Sequence, residues 1–281
     1  MRTRAIFGPA GKCDLAAGEK CKSTGQLIEW LAGKGADAFE YQCGRGVNIG
    51  AEKAEATGSL AAKLGIELSL HAPYYISLAS SEKEKRYHSI EYILESARVM
   101  HWMGGGRIVV HPGGLGGLSR HEATKLAAKT LEKSLYALHK NALDDVIVCP
   151  ELMGKVNQLG NLREILEFCK IYPDMLPCID FGHLNSRNHG KLDYADVLDE
   201  IFAVLGEERA KNIHIHFSKI EYSAGGELRH LTFADEKFGP DPGPLMAEIA
   251  RRQMTPTVIC ESAGTQTTDA LWMKENYLDR I

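Results

Sequence analysis

The fold is decided by a stretch in the last third of the chain, IHIHFSK at residues 213–219. Its apolar residues predict a buried parallel strand, for which a nearly continuous apolar run is typical. His216 lies near the end of this run, where a barrel strand opens onto the ligand side. Five other short apolar runs also lead to a histidine or a carboxylate. They are 68–70 before His71, 108–110 before His111, 146–149 before Glu151, 176–179 before Asp180 and 258–260 before Glu261.

Strand-like and helix-like segments alternate along the whole chain. The predicted strands are 4–7, 38–41, 67–70, 107–110, 145–149, 175–179, 212–217 and 257–260. The predicted helices are 25–33, 50–64, 81–103, 119–141, 161–170, 194–205 and 241–250, with one more at the end. Such alternation predicts parallel strands joined by helical crossovers. It favours an α/β fold, a single-domain (β/α)8 TIM barrel over residues 1–281. The alternative is a doubly wound sheet, but no Gly-rich fingerprint follows the first strand.

Composition narrows the class of protein. The net charge of −4 and the pI of about 6.3 argue against a globally basic nucleic-acid binder. A local basic patch stays compatible with them, because electrostatic steering depends on where the charge lies. Seven cysteines without a CxxC pair indicate reduced thiols and a cytoplasmic location. The sequence predicts no signal peptide and no membrane association.

The six polar residues after the apolar runs are expected to meet in space. In a TIM barrel the C-terminal ends of the strands share one mouth, so these side chains should converge there. Imidazoles and carboxylates without a thiolate suit Zn²⁺, Mn²⁺ or Fe²⁺. Each residue alone has an ordinary alternative, as a hydrogen-bonded loop residue or a helix cap. Six such residues at equivalent places in six predicted strands favour a shared metal site over six unrelated structural roles.

Three further histidines lie close to these positions. His183 follows Asp180 by three residues, and His230 lies in the segment LRHL, so both are additional candidate ligands or substrate contacts. His214 points to the same side of its strand as His216, since side chains alternate along a strand. For His214 the favoured interpretation is an inward-facing barrel residue with a satisfied imidazole.

The motif set resembles the endonuclease IV family of apurinic/apyrimidinic endonucleases, which are xylose isomerase-like TIM barrels. The resemblance covers nearly the whole chain. It is carried by LSLHAPYYISLAS with His71, VVHPGG with His111, PELMGK with Glu151, IDFGHLNSR with Asp180 and His183, IHIHFSK with His216, GELRHLTF with His230, and CESAG with Glu261.

The resemblance implies a cluster of two or three zinc ions and cleavage of DNA on the 5′ side of an abasic nucleotide. The first ion would be held by His71, His111 and Glu151. The second would be held by Glu151, Asp180, His216 and Glu261. The third would be held by His183 and His230. Among these residues, Glu151, Glu261 and His111 would be catalytic, and Arg45, Tyr74 and Tyr75 would contact abasic-site DNA. The sequence itself gives no sign of a protein partner.

The third site departs from the family pattern. The family has an Asp-x-His motif there, whereas the residue two positions before His230 is Leu228. Glu227 is close but lies at a different spacing, so the sequence predicts a third ion that is weak, replaced or absent.

A sugar isomerase or epimerase of the same barrel superfamily is the main alternative function. Such enzymes resemble this chain at Glu151, Asp180, His216 and Glu261, which would surround one divalent ion and move a proton next to a carbonyl. His71 and His111 distinguish the two functions, because a one-ion epimerase needs no second imidazole-bound metal. A non-catalytic metal-binding barrel is disfavoured, because a convergent polar site is costly to build without chemistry to explain it.

Overall fold

Eight parallel strands form the wall of a barrel in the computed structural model, which describes residues 2–19 and 21–281. A separate two-stranded hairpin follows the seventh of these strands. The strands of the described residues are β1 (Ile6–Pro9), β2 (Ala38–Gln42), β3 (Glu67–His71), β4 (Gly106–Val110), β5 (Val146–Pro150), β6 (Cys178–Asp180), β7 (His214–Phe217), β8 (Ile220–Ser223), β9 (Gly226–His230) and β10 (Thr257–Cys260).

The wall consists of two four-stranded parallel sheets. One sheet has the order β1-β10-β7-β6, and the other has the order β2-β3-β4-β5. Single parallel bridges join them, at Ala10 with Glu40 on one side and at Glu151 with Cys178 on the other. The barrel is therefore closed, and the predicted (β/α)8 fold is confirmed.

Helices follow the strands as the sequence predicts, and three short helices are added. The described helices are α1 (Asp14–Gly18), α2 (Thr24–Lys34), α3 (Ala51–Leu64), α4 (Lys83–Trp102), α5 (Arg120–Lys140), α6 (Leu162–Ile171), α7 (Phe181–Arg187), α8 (Tyr194–Leu205), α9 (Glu207–Lys211), α10 (Pro242–Arg251) and α11 (Gln266–Leu278). Capping boxes start α5 at Ser119 and α6 at Asn161, and each satisfies two backbone donors reciprocally. The short helices α1, α7 and α9 were not predicted.

The first strand lies two residues later than predicted. The sequence placed it at 4–7 with Gly8 and Pro9 as its end, whereas β1 includes both residues. Gly8 is required there because a Cβ atom would lie 1.8 Å from the carbonyl oxygen of Ala38 in β2. The Gly-Pro pair marks a close approach of two barrel strands here, and not a turn.

Strand β7 shows how the wall separates apolar from polar side chains. His214 and His216 point into the barrel, where both contact the carboxylate of Glu40. Ile215 and Phe217 point to the other side and belong to the main apolar core. This alternation follows from the two-residue period of a strand. The barrel interior is therefore polar at the level where the mouth begins.

Two further observations concern the cysteines and the membrane-crossing potential of the helices. All seven cysteines are buried and free. Among the described residues, no helix combines the length and the apolar character that a bilayer crossing requires.

Candidate metal centre at the barrel mouth

The six residues at the strand ends converge at one end of the barrel. The ligand atoms of His71, His111 and Glu151 lie within 4.8 Å of one another, and so do those of Glu151, Asp180, His216 and Glu261. His71, Glu151, Asp180 and His216 are buried, while the side chains of His111 and Glu261 keep 18% and 15% of their surface exposed. The mouth therefore has a closed floor, and these two partly exposed ligands lie at its open side.

Glu151 connects the two groups because its two carboxylate oxygens face different partners. Oε2 lies 2.8 Å from Nε2 of His111 and 3.3 Å from Nε2 of His71. Oε1 lies 3.3 Å from Nδ1 of His216. A carboxylate arranged in this way can bridge two cations, each oxygen serving one of them.

Two imidazoles of the mouth are oriented by a hydrogen bond from Nδ1 to a backbone carbonyl oxygen. Nδ1 of His71 contacts the carbonyl oxygen of Ala72 at 2.8 Å, and Nδ1 of His183 contacts that of Leu152 at 2.9 Å. A carbonyl oxygen only accepts, so Nδ1 donates in both imidazoles and Nε2 is the nitrogen available to a metal ion. Metal-binding histidines are held in this manner.

Asp180 performs two tasks at the end of β6. Its Oδ1 accepts a hydrogen bond of 2.7 Å from the backbone N–H of His183 and thereby caps α7. Helix α7 starts at once after the strand, which turns His183 back over the mouth. The other oxygen, Oδ2, is buried and makes no hydrogen bond, although Nδ1 of His183 lies 3.2 Å away. A buried carboxylate oxygen without a donor is costly unless a cation faces it, so the residues fit a metal ion.

A third group of ligands comes from α7 and the hairpin. His183, Glu227 and His230 present ligand atoms within 4.8 Å of one another. Nε2 of His183 lies 3.4 Å from Oε2 of Glu227, and Nδ1 of His230 lies 2.8 Å from Oγ of Ser218. Glu227 supplies the carboxylate that the family spacing places at residue 228.

A β-bulge explains why the spacing of Glu227 is misleading. In the hairpin, Arg229 pairs with Glu221 and Glu227 pairs with Tyr222, so Leu228 is an extra residue on β9. One extra residue reverses the alternation of side chains beyond it. Glu227 and His230 therefore share a face although they are three residues apart, and Leu228 is 57% exposed. The different spacing of Glu227 in the sequence therefore does not separate it from His183 and His230 in space.

Two glycines allow the hairpin to approach the barrel. A Cβ atom on Gly154 would lie 2.7 Å from Cβ of Glu227 and 2.9 Å from Cδ2 of His183. Gly226 has φ of +91° and passes close to the carbonyl oxygen of Gly154. The backbone N–H of Glu227 also donates to that oxygen. The third group thus depends on contacts that only glycine permits.

The electrostatics of the mouth indicate a place for cations. Burial would raise the pKa of Glu261, but the neighbouring His216 lowers it to about 2. Burial raises the pKa of Asp180, and the charges of Glu261 and Glu151 add to this effect. Burial would lower the pKa of His216, yet the surrounding anionic groups hold it well above its usual value. The carboxylates therefore give the mouth a negative charge that a bound cation would offset.

The three predicted DNA contacts lie at different places. Arg45 and Tyr74 line a groove of about 640 Å³ that also contains Lys12, His230 and Glu261. The Tyr74 ring packs against the imidazoles of His71 and His111, with both ring centroids 5.3 Å away. Tyr75 instead packs on Tyr92 of α4 and is not among the residues that line this groove.

Sequence reasoning missed two acidic residues of this region. Glu227 was set aside, although the Gly225-Gly226 pair between two short β-like runs was a signal for a hairpin. Glu40 was included in a predicted strand but not considered as a site residue. It is completely buried beneath the mouth, and a carboxylate in the middle of an apolar strand was the available signal. The favoured interpretation of His214 as inward-facing is correct, although only its Nε2 has a partner.

Comparison with known proteins assigns the class. A family profile described as "Xylose isomerase-like TIM barrel" matches residues 28–277, so the chain belongs to that family. An uncharacterized protein of Methanocaldococcus jannaschii is 32% identical over 273 residues, which is 96% of each chain. A probable endonuclease 4 of Mycoplasma pneumoniae is 29% identical over 191 residues, covering 66% of this chain and 64% of that protein.

Solved structures show the same fold without separating the functions. Endonuclease IV from Thermus thermophilus has a TM-score of 0.71 and 18% identity, covering 98% of this chain and 100% of that chain. A D-tagatose 3-epimerase-like protein has a TM-score of 0.71 and 17% identity, covering 98% of this chain and 97% of that chain. At these identities the likeness concerns the barrel alone.

Proposed function

We propose that the chain is a metal-dependent phosphodiesterase of the endonuclease IV type that cleaves DNA at abasic sites. The observation that carries the proposal is the number of ligand groups at one mouth. The set Glu151, Asp180, His216 and Glu261 would serve a one-ion isomerase by itself. Such an isomerase has no use for the His71–His111 pair or for the hairpin group of His183, Glu227 and His230.

The proposed cofactor is zinc, with manganese or iron(II) as chemically acceptable substitutes, because the ligands are imidazoles and carboxylates. His71, His111 and Glu151 would hold the first ion, and His183, Glu227 and His230 would hold the third. Glu151 would be shared with the second ion, which Asp180, His216 and Glu261 complete. When bound, ions of this kind lower the pKa of water and neutralise charge on a phosphate.

The protein itself contributes positioning at the open side of the mouth. His111 and Glu261 are the partly exposed ligands of the strand-end set, so a scissile phosphodiester would meet them first, with Glu151 beneath. Arg45 and Lys12 give the adjoining groove positive charge for neighbouring phosphates. The half-exposed Tyr74 ring offers a flat surface for stacking beside the cluster. Tyr75, which packs on Tyr92, would reach DNA only at the outer rim.

An epimerase acting on a small sugar is the competing function. Two observations favour it, namely the self-sufficient group around Glu151 and the net charge of −4, which does not attract DNA from a distance. In that case His111 would be an outer neighbour of the ion, and its loss would be mild.

One paired experiment separates the two functions. Protein purified without added metal is analysed for metal content and assayed with zinc or manganese on abasic and on intact duplex DNA. We expect two or three ions per chain and cleavage of the abasic duplex alone. His121→Ala, which changes an exposed histidine on α5, is the control and should behave like the parent. One ion per chain at saturating zinc, without nicking and with ketose epimerisation, would replace the nuclease by the epimerase.

The proposal also covers the domain organisation and the cellular location of the protein. We take residues 1–281 as one barrel domain, working in the cytoplasm without an obligatory protein partner. The closed wall of alternating strands and helices supports the first point, and the free cysteines support the second.

A further inference from the structure

Glu40 lies beneath the metal centre and belongs to none of the ligand groups above. It sits in the middle of β2, points into the barrel and has no exposed surface. A buried carboxylate is expensive to keep in a barrel core unless several donors satisfy it. Its contacts therefore indicate what it does.

Four side chains surround the carboxylate of Glu40. Oγ of Ser69 lies at 2.9 Å, Nε2 of Gln42 at 3.2 Å, Nε2 of His214 at 3.0 Å and Nε2 of His216 at 3.2 Å. Four polar side chains around one buried carboxyl group are the surroundings that an ionised carboxylate requires. An ionised carboxylate only accepts hydrogen bonds, so each of these imidazoles donates its Nε2–H.

The contact with Glu40 decides which ring nitrogen of His216 faces the mouth. With Nε2–H directed at Glu40, Nδ1 is left towards Oε1 of Glu151 at 3.3 Å and Oε2 of Glu261 at 3.5 Å. His214, two residues earlier on the same strand, also directs its Nε2 at Glu40, at 3.0 Å.

The support of His216 differs in kind from that of the other imidazoles. His71 and His183 are held by backbone carbonyl oxygens, and His230 is held by the hydroxyl of Ser218. Nε2 of His216 instead contacts Glu40, a carboxylate that belongs to none of the proposed ligand groups. A carboxylate fixes the tautomer and also raises the basicity of the imidazole as a ligand.

We propose that Glu40 is a positioning residue which fixes the Nε2–H form of His216 and strengthens its Nδ1 as a ligand. The ion concerned is the one assigned to Glu151, Asp180, His216 and Glu261. The proposal rests on the metal centre proposed above and goes beyond it by assigning a role to Glu40. His214 shares this role by holding Glu40 in place.

The test is the zinc affinity of the Glu40→Gln variant, which keeps the side-chain size and removes the charge. We expect zinc affinity to fall by about 10–100-fold in competition with a chromogenic chelator, the loss typical of an outer-shell partner. Ser96→Ala is the matched control, because it removes a buried hydroxyl of α4 that donates to the carbonyl oxygen of Tyr92 and not to Glu40. Its zinc affinity should equal that of the parent. Parent-like affinity in Glu40→Gln, or an equal loss in Ser96→Ala, would overturn the proposal.

A second measurement needs no variant and applies even if Glu40→Gln fails to fold. In zinc-loaded parent protein with ¹⁵N-labelled histidine, His216 should carry its proton on Nε2 and bind zinc through Nδ1. Zinc on Nε2 of His216 would overturn the proposal. The role of Glu40 and the nuclease function can fail separately. If the parent binds zinc through His216 and Glu40→Gln shows the loss of affinity, the role of Glu40 is supported. If the same parent protein leaves abasic DNA intact, the nuclease function is refuted. Parent protein that binds no zinc would overturn both.

Discussion

The candidate ligands come from two regions that hold them in different ways. Six of them lie at the C-terminal ends of the wall strands, and their positions are set by the register of parallel strands. A seventh, His183, lies on α7 directly after the wall strand β6. Glu227 and His230 instead lie on the β8–β9 hairpin, where a bulge at Leu228 and a close contact at Gly154 set the geometry. The wall ligands should therefore be rigid and bind tightly. The hairpin ligands should be easier to disturb and easier to vary.

The largest effect is expected from the partly exposed wall ligands. His111→Ala and Glu261→Ala should each reduce nicking of abasic DNA by at least ~10²–10³-fold, because each removes a group that supports charge stabilisation in the transition state. Single-turnover nicking beside the parent measures this effect. Parent-like nicking by His111→Ala would refute the two-ion arrangement in the wall.

The next effect concerns the hairpin and should leave the wall untouched. Loss of an outer-shell partner already weakens a metal site ~10–100-fold, so Glu227→Ala should weaken the third site by at least ~100-fold. Elemental analysis should then find one ion fewer than in the parent, with the others retained. An unchanged ion count in Glu227→Ala would mean that the hairpin holds no metal, and the comparison would fail.

A smaller effect is expected at the contact between the two regions. Gly154→Ala places a methyl group against Glu227 and His183, and overpacking of this kind costs about 1–3 kcal/mol. The strain should push the hairpin away and weaken the third ion, while the wall ions stay. Gly33→Ala is the matched control, since a Cβ atom there meets nothing within 4 Å. Thermal unfolding and ion count of both variants provide the measurement, and equal behaviour would contradict the close contact.

The smallest effect is expected from deletion of Leu228. Without the extra residue, Glu227 becomes the second residue before His230 in a regular strand, and both still share a face. The third ion should then be retained with affinity near that of the parent, whereas loss of Glu227 removes it. A third site that disappears on deletion of Leu228 would show that the bulge does more than correct the spacing.

The same contrast explains what sequence alone could predict. The strand-end residues were found because parallel strands of a barrel must present their C-terminal ends at one mouth, so apolar runs that end in His71 or Glu261 are informative by position. Glu227 was missed because a bulge breaks the two-residue period on which spacing arguments rest. Helix α7 was missed because its seven residues are fixed by the Asp180 cap and by burial, not by periodicity.

Glu40 was missed for a different reason. Its neighbours Phe39 and Tyr41 predict a strand, and this strand is found. Which face of the strand looks into the barrel, and how deep, depends on the closure of the wall by a bridge between Ala10 and Glu40. That information is global, and no local pattern contains it.

The closure of the barrel has a mechanical consequence. The two sheets are joined by single bridges at Glu40 and at Glu151, so the wall has two seams. Glu151 belongs to one sheet, whereas Asp180, His216 and Glu261 follow strands of the other. A cation bound by these four residues would therefore link the two sheets across one seam. The hydrogen bonds from His214 and His216 to Glu40 link the same two sheets through the barrel interior.

The carboxylates that would bind the cation therefore also stabilise the closure of the barrel. When the cation is removed, the wall should open locally at its seams before the helices unfold, because local opening begins where strand pairing is least continuous. The backbone N–H groups of Gly11 and Leu152 donate across the two seams, to the carbonyl oxygens of Glu40 and Cys178. Hydrogen exchange of these two N–H groups should therefore become faster when the cation is removed.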